Sequence, residues 1–209
     1  MPALGALLFA LCTWQVVAGG PLRRADERLG RAVAGCGFPE GVAEFLADLG
    51  NASVAVPVLV AVLALVTWRG HRAGAPRWWL PGAACALALA AVPALVVPLK
   101  AAVGGPGPPG MPGHDGFYPS GHTATAAVAY GGAALLLLAL PRSSYGRVAL
   151  LLGCAALNLA VGFGLVRRGY HWPLDVVASW LLCGVLLQVV AVVAGRPRRL
   201  TAPDPGPPG

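Results

Sequence analysis

The sequence predicts an all-α protein, a polytopic membrane helix bundle of about six transmembrane helices. Three observations lead there. Of 209 residues, 57% are hydrophobic and 11% charged, with a mean hydropathy of +0.71, whereas a soluble domain carries about 25% charged residues. Apolar runs recur at close to the ~20 residues that a helix needs to cross a bilayer core of about 30 Å. Between them lie short stretches rich in Arg, Gly, Pro and Trp, the residues that mark helix ends at a membrane surface. In lipid, backbone N–H and C=O groups must be satisfied within the protein, which for runs of this length means helices. Residues 1–195 read as one membrane-embedded domain, and residues 196–209 as a basic, then Pro-rich, disordered tail.

In chain order, Ala3–Ala18 is apolar and a little short for a span. Val17-Ala18-Gly19-Gly20 resembles a signal-peptide cleavage site, but no basic segment precedes the apolar run, which favours a retained first helix. Residues 21–50 form an interfacial region. Pro21–Arg31 is charged, and after it Phe38, Val42, Phe45, Leu46 and Leu49 recur at helical spacing, with Glu40, Glu44 and Asp48 on another face. That pattern describes an amphipathic helix at the membrane surface or a solvated cap over the bundle. Ala52–Trp68 is the second span, followed by the basic turn Arg69–Arg77 and the anchors Trp78 and Trp79. Leu80–Leu99 is the third, with a kink expected at Pro93 and Pro98, and it ends on Lys100, the only lysine. Gly104–Gly116 is too rich in Gly and Pro to be regular. Thr123–Leu140 and Val148–Leu165 are spans four and five, broken by the polar Pro141–Arg147, and about Leu174 to Ala194 is span six. All six tryptophans read as membrane anchors.

Spans four and five cross and return, so His122 and His171 finish on one membrane face. Lys100, Arg167 and Arg168 share it. Arg69, Arg72, Arg77, Arg142, Arg147, Arg196, Arg198 and Arg199 lie on the other face with both termini. With Arg23, Arg24, Arg28 and Arg31 on the histidine face set aside, because acids beside them partly offset their charge, the positive-inside rule places that other face in the cytoplasm. The expectation is a plasma-membrane protein with the histidines outside.

The net charge of +7 follows from arginines at helix ends and implies the bilayer, not nucleic acid, as the partner. Of the five cysteines only Cys36 falls in a loop, and none forms a Cys-x-x-Cys pair, so neither a disulfide framework nor a cysteine metal site is expected.

The polar residues gathered on one face suit a phosphate ester. Lys100 supplies a cation. Ser120 and Gly121 precede an apolar helix, where a hydroxyl and free amides attract an anion. His122 and His171 are imidazoles able to attack phosphorus or move protons near neutral pH. Asp175, one helical turn after His171, can hold that ring in the attacking tautomer. Each has a plainer reading: a snorkelling helix-end cation for Lys100, a helix cap for Ser120, interface anchoring for Arg167 and Arg168, and a solvated histidine for His71. His114 and Asp115 with His122, His171 and Asp175 offer zinc-type ligands, but their spacing matches no metal motif.

At these residues the sequence resembles the type 2 phosphatidic acid phosphatase family, the membrane branch of the lipid phosphate phosphatase and vanadium haloperoxidase superfamily. That family carries Lys-x6-Arg-Pro, Pro-Ser-Gly-His and Ser-Arg-x5-His-x3-Asp in order. Here the second stands intact as Pro119-Ser120-Gly121-His122, and the end of the third as His171-x3-Asp175. The resemblance implies His171 as the nucleophile that forms a phosphohistidine, Asp175 as its orienting partner, and His122 as the acid for the leaving alcohol. It implies Lys100, Ser120 and the Gly121 amide as phosphate ligands, and no metal or other cofactor. Gly107 and Leu165 stand where the family has its two arginines. Arg167 or Arg168 then becomes the candidate replacement for one of them, with Arg23–Arg31 on the same face.

The expected function is an integral membrane phosphatase acting on a lipid phosphate or polyprenyl diphosphate. The alternatives are a catalytically impaired relative that binds phosphorylated lipid without turnover, and a transporter or purely structural bundle.

Overall fold

The computed structural model describes residues 2–111, 116–140 and 143–193, and among these eight helices form the regular structure. They are α1 (Pro2–Val17), α2 (Pro21–Ala34), α3 (Glu40–Asp48), α4 (Ala52–Arg72), α5 (Leu80–Val103), α6 (Gly121–Leu138), α7 (Ser144–Arg167) and α8 (Pro173–Val193). The expected tail at 196–209 lies outside the described residues, as do His114 and Asp115. Five helices, α4 to α8, are long and apolar enough to cross a membrane. α1, 16 residues long, turns by 84° into α2, and the pair counts as a sixth span when the two are taken together as one broken crossing.

α6 is the centre of the bundle. It packs against α4, α5, α7 and α8, and Ala124, Ala126, Val128 and Ala129 on it are fully buried. Its run of Gly, Ala and Thr explains this position, because helices in lipid associate through close backbone approach at small residues. Gly131 marks one such contact, since a Cβ there would lie 2.5 Å from Leu187 Cδ1 of α8. The outward faces of the other helices carry exposed Leu and Val, including Leu87, Val97, Leu152 and Val192, as a lipid-facing surface requires.

α5 is one continuous helix through Pro93 and Pro98. Neighbouring helices in a membrane bundle re-satisfy the backbone groups that proline frees.

The charged stretch after α1 is itself a helix. Gln15 Oε1 accepts the Leu22 N–H at 3.1 Å, satisfying one of the amides that the first turn of α2 cannot pair internally. The turn leaves no room for a side chain at Gly20, whose Cβ would fall 2.2 Å from the same Oε1. Arg23 pairs with Glu27 one turn on, at 2.9 Å. Arg23 and Asp26 are both buried, each only 5% exposed, because α2 packs on α1, α7 and α8.

α3 is both cap and surface helix. Ala43 and Ala47 are buried against α7, whereas Val42 and Phe45 face outward. The contact with α7 is made over Gly164, where a Cβ would lie 2.5 Å from the Ala47 nitrogen and 2.6 Å from the Ala43 oxygen. Tyr130 of α6 donates to the Leu49 carbonyl and ties the end of α3 to the bundle centre. The region 21–50 therefore sits over the end of the bundle at which α5, α7 and the loop before α6 also finish.

Candidate functional site

Three short segments converge at that end. The first is the end of α5 with the loop that follows it. Lys100 lies in the last turn of α5 and donates to the Gly116 carbonyl at 2.9 Å. Gly104 and Gly105 turn the chain with positive φ, and a Cβ on Gly105 would meet Tyr118 Cβ at 2.7 Å. Both Gly116 and Phe117 donate their N–H groups to the Gly104 carbonyl, closing the loop on itself.

The second segment is the start of α6. Ser120 is its N-cap, with its hydroxyl oxygen 3.3 Å from the Thr123 N–H and 3.0 Å from the Thr123 hydroxyl. The residue is fully buried. Its side chain therefore builds the helix start, and the site is met by Gly121 and His122 instead. The amides of this first turn have no acceptor within their own helix, and together with the helix dipole they favour an anion.

The third segment is the start of α8. His171 Nδ1 lies 3.2 Å from Asp175 Oδ2, and the same oxygen accepts the Trp172 N–H at 3.0 Å. Asp175 is 2% exposed and His171 7%. The carboxylate thus caps its own helix and fixes the imidazole, with Nδ1 donating to it and Nε2 left for chemistry. The third and second segments are stitched together. Ser120 N–H donates to the Asp175 carbonyl at 3.1 Å. The Ser179 hydroxyl lies 2.8 Å from the Ser120 carbonyl and 2.9 Å from that of Asp175.

Lys100, Gly121, His122 and His171 line one cavity of about 850 Å³, with Phe117 and Tyr170 beside them. Phe117 presents its ring to His171, centroids 6.1 Å apart and planes at 69°. Apart from Thr125 the side chains of the remaining wall are apolar, among them Ala52 and Val56 on α4 and Leu89, Val92, Val96 and Val97 on α5. A polar end holding two imidazoles and an ammonium is thereby joined to an apolar channel between membrane helices.

Arg167 and Arg168 do not join this cluster. The Arg167 guanidinium donates to the Ala34 carbonyl at 2.6 Å and twice to the Phe38 carbonyl, at 3.1 and 2.7 Å. Arg168 reaches Glu44 at 2.6 Å and Glu40 at 3.1 Å. Glu44 also accepts from the Tyr170 hydroxyl at 2.7 Å, and these two donors, Tyr170 first, hold its carboxyl below the usual range. Both arginines fasten α3 and the end of α2 to α7. We expect Arg167→Ala to lower Tm by several degrees while leaving KM for a phosphate ester unchanged. Charged hydrogen bonds contribute about 1.5–3 kcal/mol each, and a thermal melt with steady-state kinetics in detergent checks both parts.

The two positions that the motif spacing singles out, Leu165 and Gly107, are also filled. Leu165 is 1% exposed, and a Cβ on Gly107 would lie 2.5 Å from the Phe117 ring. Trp172 is no membrane anchor. It is 5% exposed and donates its indole N–H to the Pro106 carbonyl at 3.0 Å. Arg23 donates to the same carbonyl at 3.2 Å. Trp68 and Trp79, by contrast, are exposed at the opposite end, as the sequence predicts. Among the described residues no group of three or more His, Cys, Asp or Glu is arranged to hold a metal ion, and all five cysteines are free thiols.

Sequence reasoning overlooked Asp26, Ser179, Phe117 and Tyr170. Of these only Tyr170 carried a signal, as the neighbour of a motif histidine.

No curated protein matches the chain. Among solved structures it resembles the crystal structure of a transmembrane PAP2 type phosphatidylglycerolphosphate phosphatase from Bacillus subtilis. The TM-score is 0.75 at 23% identity, over 90% of this chain and 93% of that one. The family model described as the PAP2 superfamily matches residues 81–199. That span contains Lys100, the Ser120–His122 cap and the His171–Asp175 pair, and with it the chain belongs to the PAP2 superfamily as a multi-pass membrane protein.

Proposed function

We propose that the protein is a membrane phosphatase that hydrolyses a lipid phosphate or polyprenyl diphosphate through a phosphohistidine on His171. The single observation that carries this reading is the cavity. His171, oriented by Asp175, shares its polar end with His122 and Lys100, and its apolar wall can keep acyl or prenyl tails in lipid while the head group reaches the histidines.

In the first step His171 Nε2 attacks phosphorus. The P–N bond forms as the P–O bond to the leaving group breaks, an ester bond in a monophosphate and an anhydride bond in a diphosphate, and His122 passes its proton to the leaving oxygen. In the second, His122 takes a proton from water, the hydroxide oxygen attacks phosphorus, and the P–N bond breaks to give inorganic phosphate. Lys100 and the first-turn amides of α6 neutralise the equatorial oxygens, which is the main demand of phosphoryl transfer. Each residue here is drawn from the chain itself.

The site face is read as external. Arg69, Arg72, Arg77 and Arg147 mark the opposite face, and the acidic residues described all lie at the site end: Asp26, Glu27, Glu40, Glu44, Asp48 and Asp175. With Arg23, Arg24, Arg28 and Arg31 set aside, because Asp26 and Glu27 offset part of their charge, Lys and Arg in the sequence are more numerous on the face opposite the site, the bias of a cytoplasmic face. On this reading the protein sits in the plasma membrane with both termini in the cytoplasm.

A second reading, lipid binding without turnover, is favoured by Leu165 and Gly107 standing where two phosphate-binding cations are expected. Loss of one such donor can cost about 10²–10³ in rate. Phosphate release by purified protein in detergent with a chelator present separates the two. The panel holds phosphatidate, phosphatidylglycerol phosphate and a polyprenyl diphosphate. Release on any of them, with an acid-labile and alkali-stable phosphoenzyme trapped on quenching, is the expected outcome. Saturable binding of these lipids with no release establishes the second reading.

A further inference from the structure

Asp26 is the acidic side chain of α2 that faces inward. Its Oδ1 accepts the Leu174 N–H of α8 at 2.7 Å, whereas its Oδ2 is buried with no partner among the described residues. The residue is 5% exposed. Leu174 adjoins Asp175, so the first turn of α8 hangs from two carboxyl groups. Asp175 holds the Trp172 amide from within, and Asp26 holds the Leu174 amide from α2.

A buried carboxylate oxygen without a donor is costly, whereas a protonated carboxyl in the same place is far less so. The neighbours reinforce this. Asp175 faces Asp26 from α8, and Glu27 sits beside it on α2. Arg23 is the nearby cation, but its guanidinium is already engaged by Glu27 and the Pro106 carbonyl. From α1 the facing group is the neutral Cys12 thiol. From α7 the charged Arg167 reaches α2 only at Ala34. Burial, with the Asp175 charge adding to it and the Leu174 amide opposing, lifts the Asp26 carboxyl to about 7.

We propose that Asp26 is a positioning residue for the phosphate site: as a neutral carboxyl it pins the first turn of α8, and so the His171–Asp175 pair, without adding a second negative charge beside Asp175. An anionic Asp26 would set a second negative charge beside Asp175 and repel the incoming phosphate. The inference rests on the reading of His171 as nucleophile. The sign of the linkage follows from an acid whose pKa is raised on folding. Its contribution to α8 docking is complete below the unfolded value of 3.8 and is lost as pH rises to about 7.

The test compares wild type, Asp26→Asn, Asp26→Leu and Asp26→Ala in detergent, with His171→Ala as the inactive control. Phosphate release is measured from about pH 5 to 9, and amide hydrogen exchange is measured over residues 172–176. Asn keeps the acceptor for Leu174 and can never ionise. It should retain kcat within about twofold near pH 6, and its activity should not fall as the wild type's does through pH ~7. Leu and Ala remove the acceptor. They should lose about 10- to 100-fold in kcat, as a misplacement of about 1 Å does, with KM changed far less and faster exchange of the α8 amides at unchanged helix content. Leu and Ala variants with wild-type kcat and exchange overturn the proposal, as does an Asn variant that keeps the wild-type pH profile. Should the wild type release no phosphate, the phosphatase reading fails by itself, and the exchange data still decide whether Asp26 holds α8.

Discussion

His171→Ala is expected to abolish turnover, by about 10⁴–10⁶-fold, with the fold and lipid binding retained. The magnitude follows from the role. A nucleophile that forms a covalent intermediate cannot be replaced by its neighbours, and removing it costs about as much as removing the whole catalytic set. The structure makes the substitution clean. His171 contacts Asp175 through Nδ1 and the Phe117 ring through its edge, and the Asp175 carboxylate keeps its bond to the Trp172 amide, so α8 retains its cap. Phosphate release, phosphoenzyme trapping and a binding isotherm for the same lipid, run side by side, read the result. An alanine variant that still releases phosphate at more than about a hundredth of the wild-type rate would remove His171 from the mechanism.

Asp175→Asn comes second, with an expected loss of about 10³–10⁴-fold in kcat. Both donors that reach Asp175, the His171 ring and the Trp172 amide, arrive at one oxygen, Oδ2. An asparagine carbonyl oxygen in that place can accept from both, so geometry survives and the negative charge alone is lost. That charge stabilises the cation formed as His171 attacks, and its removal in a comparable triad costs about 10⁴. The measurement is kcat with KM and a thermal melt. A loss confined to KM, or a collapse of Tm, would assign Asp175 a structural role only.

Much of this site is legible in the sequence because it depends on counting. Two apolar runs between His122 and His171 return the chain to the face it left, and one run before them brings Lys100 there. The His171–Asp175 contact is a one-turn spacing at a helix start. Span boundaries are legible for the same reason, since apolar length is what a bilayer selects.

The rest depends on partners that no local pattern reveals. Pro21–Arg31 has the composition of a solvated loop, yet Asp26 is buried because an amide 148 positions away needs an acceptor. Arg167 and Arg168 lie on the correct face and next to the correct motif. What draws them away is a pair of backbone carbonyls, at Ala34 and Phe38, together with Glu40 and Glu44 on α3. Carbonyls exposed by a break between two helices have no signature in side-chain type. Ser179 reads as one more polar residue inside a span until the carbonyls of Ser120 and Asp175 are brought to it.

The stitching of α8 to Ser120 and Asp26 has a consequence for how the protein is made. α8 is made after the other seven described helices, and its first turn is held in place by a serine cap and a carboxyl synthesised long before. Until α8 inserts, His122 and Lys100 have no second imidazole beside them, and His171 lacks the Asp175 contact that orients it. The polar end of the cavity is therefore assembled only once α8 has joined the helices made before it.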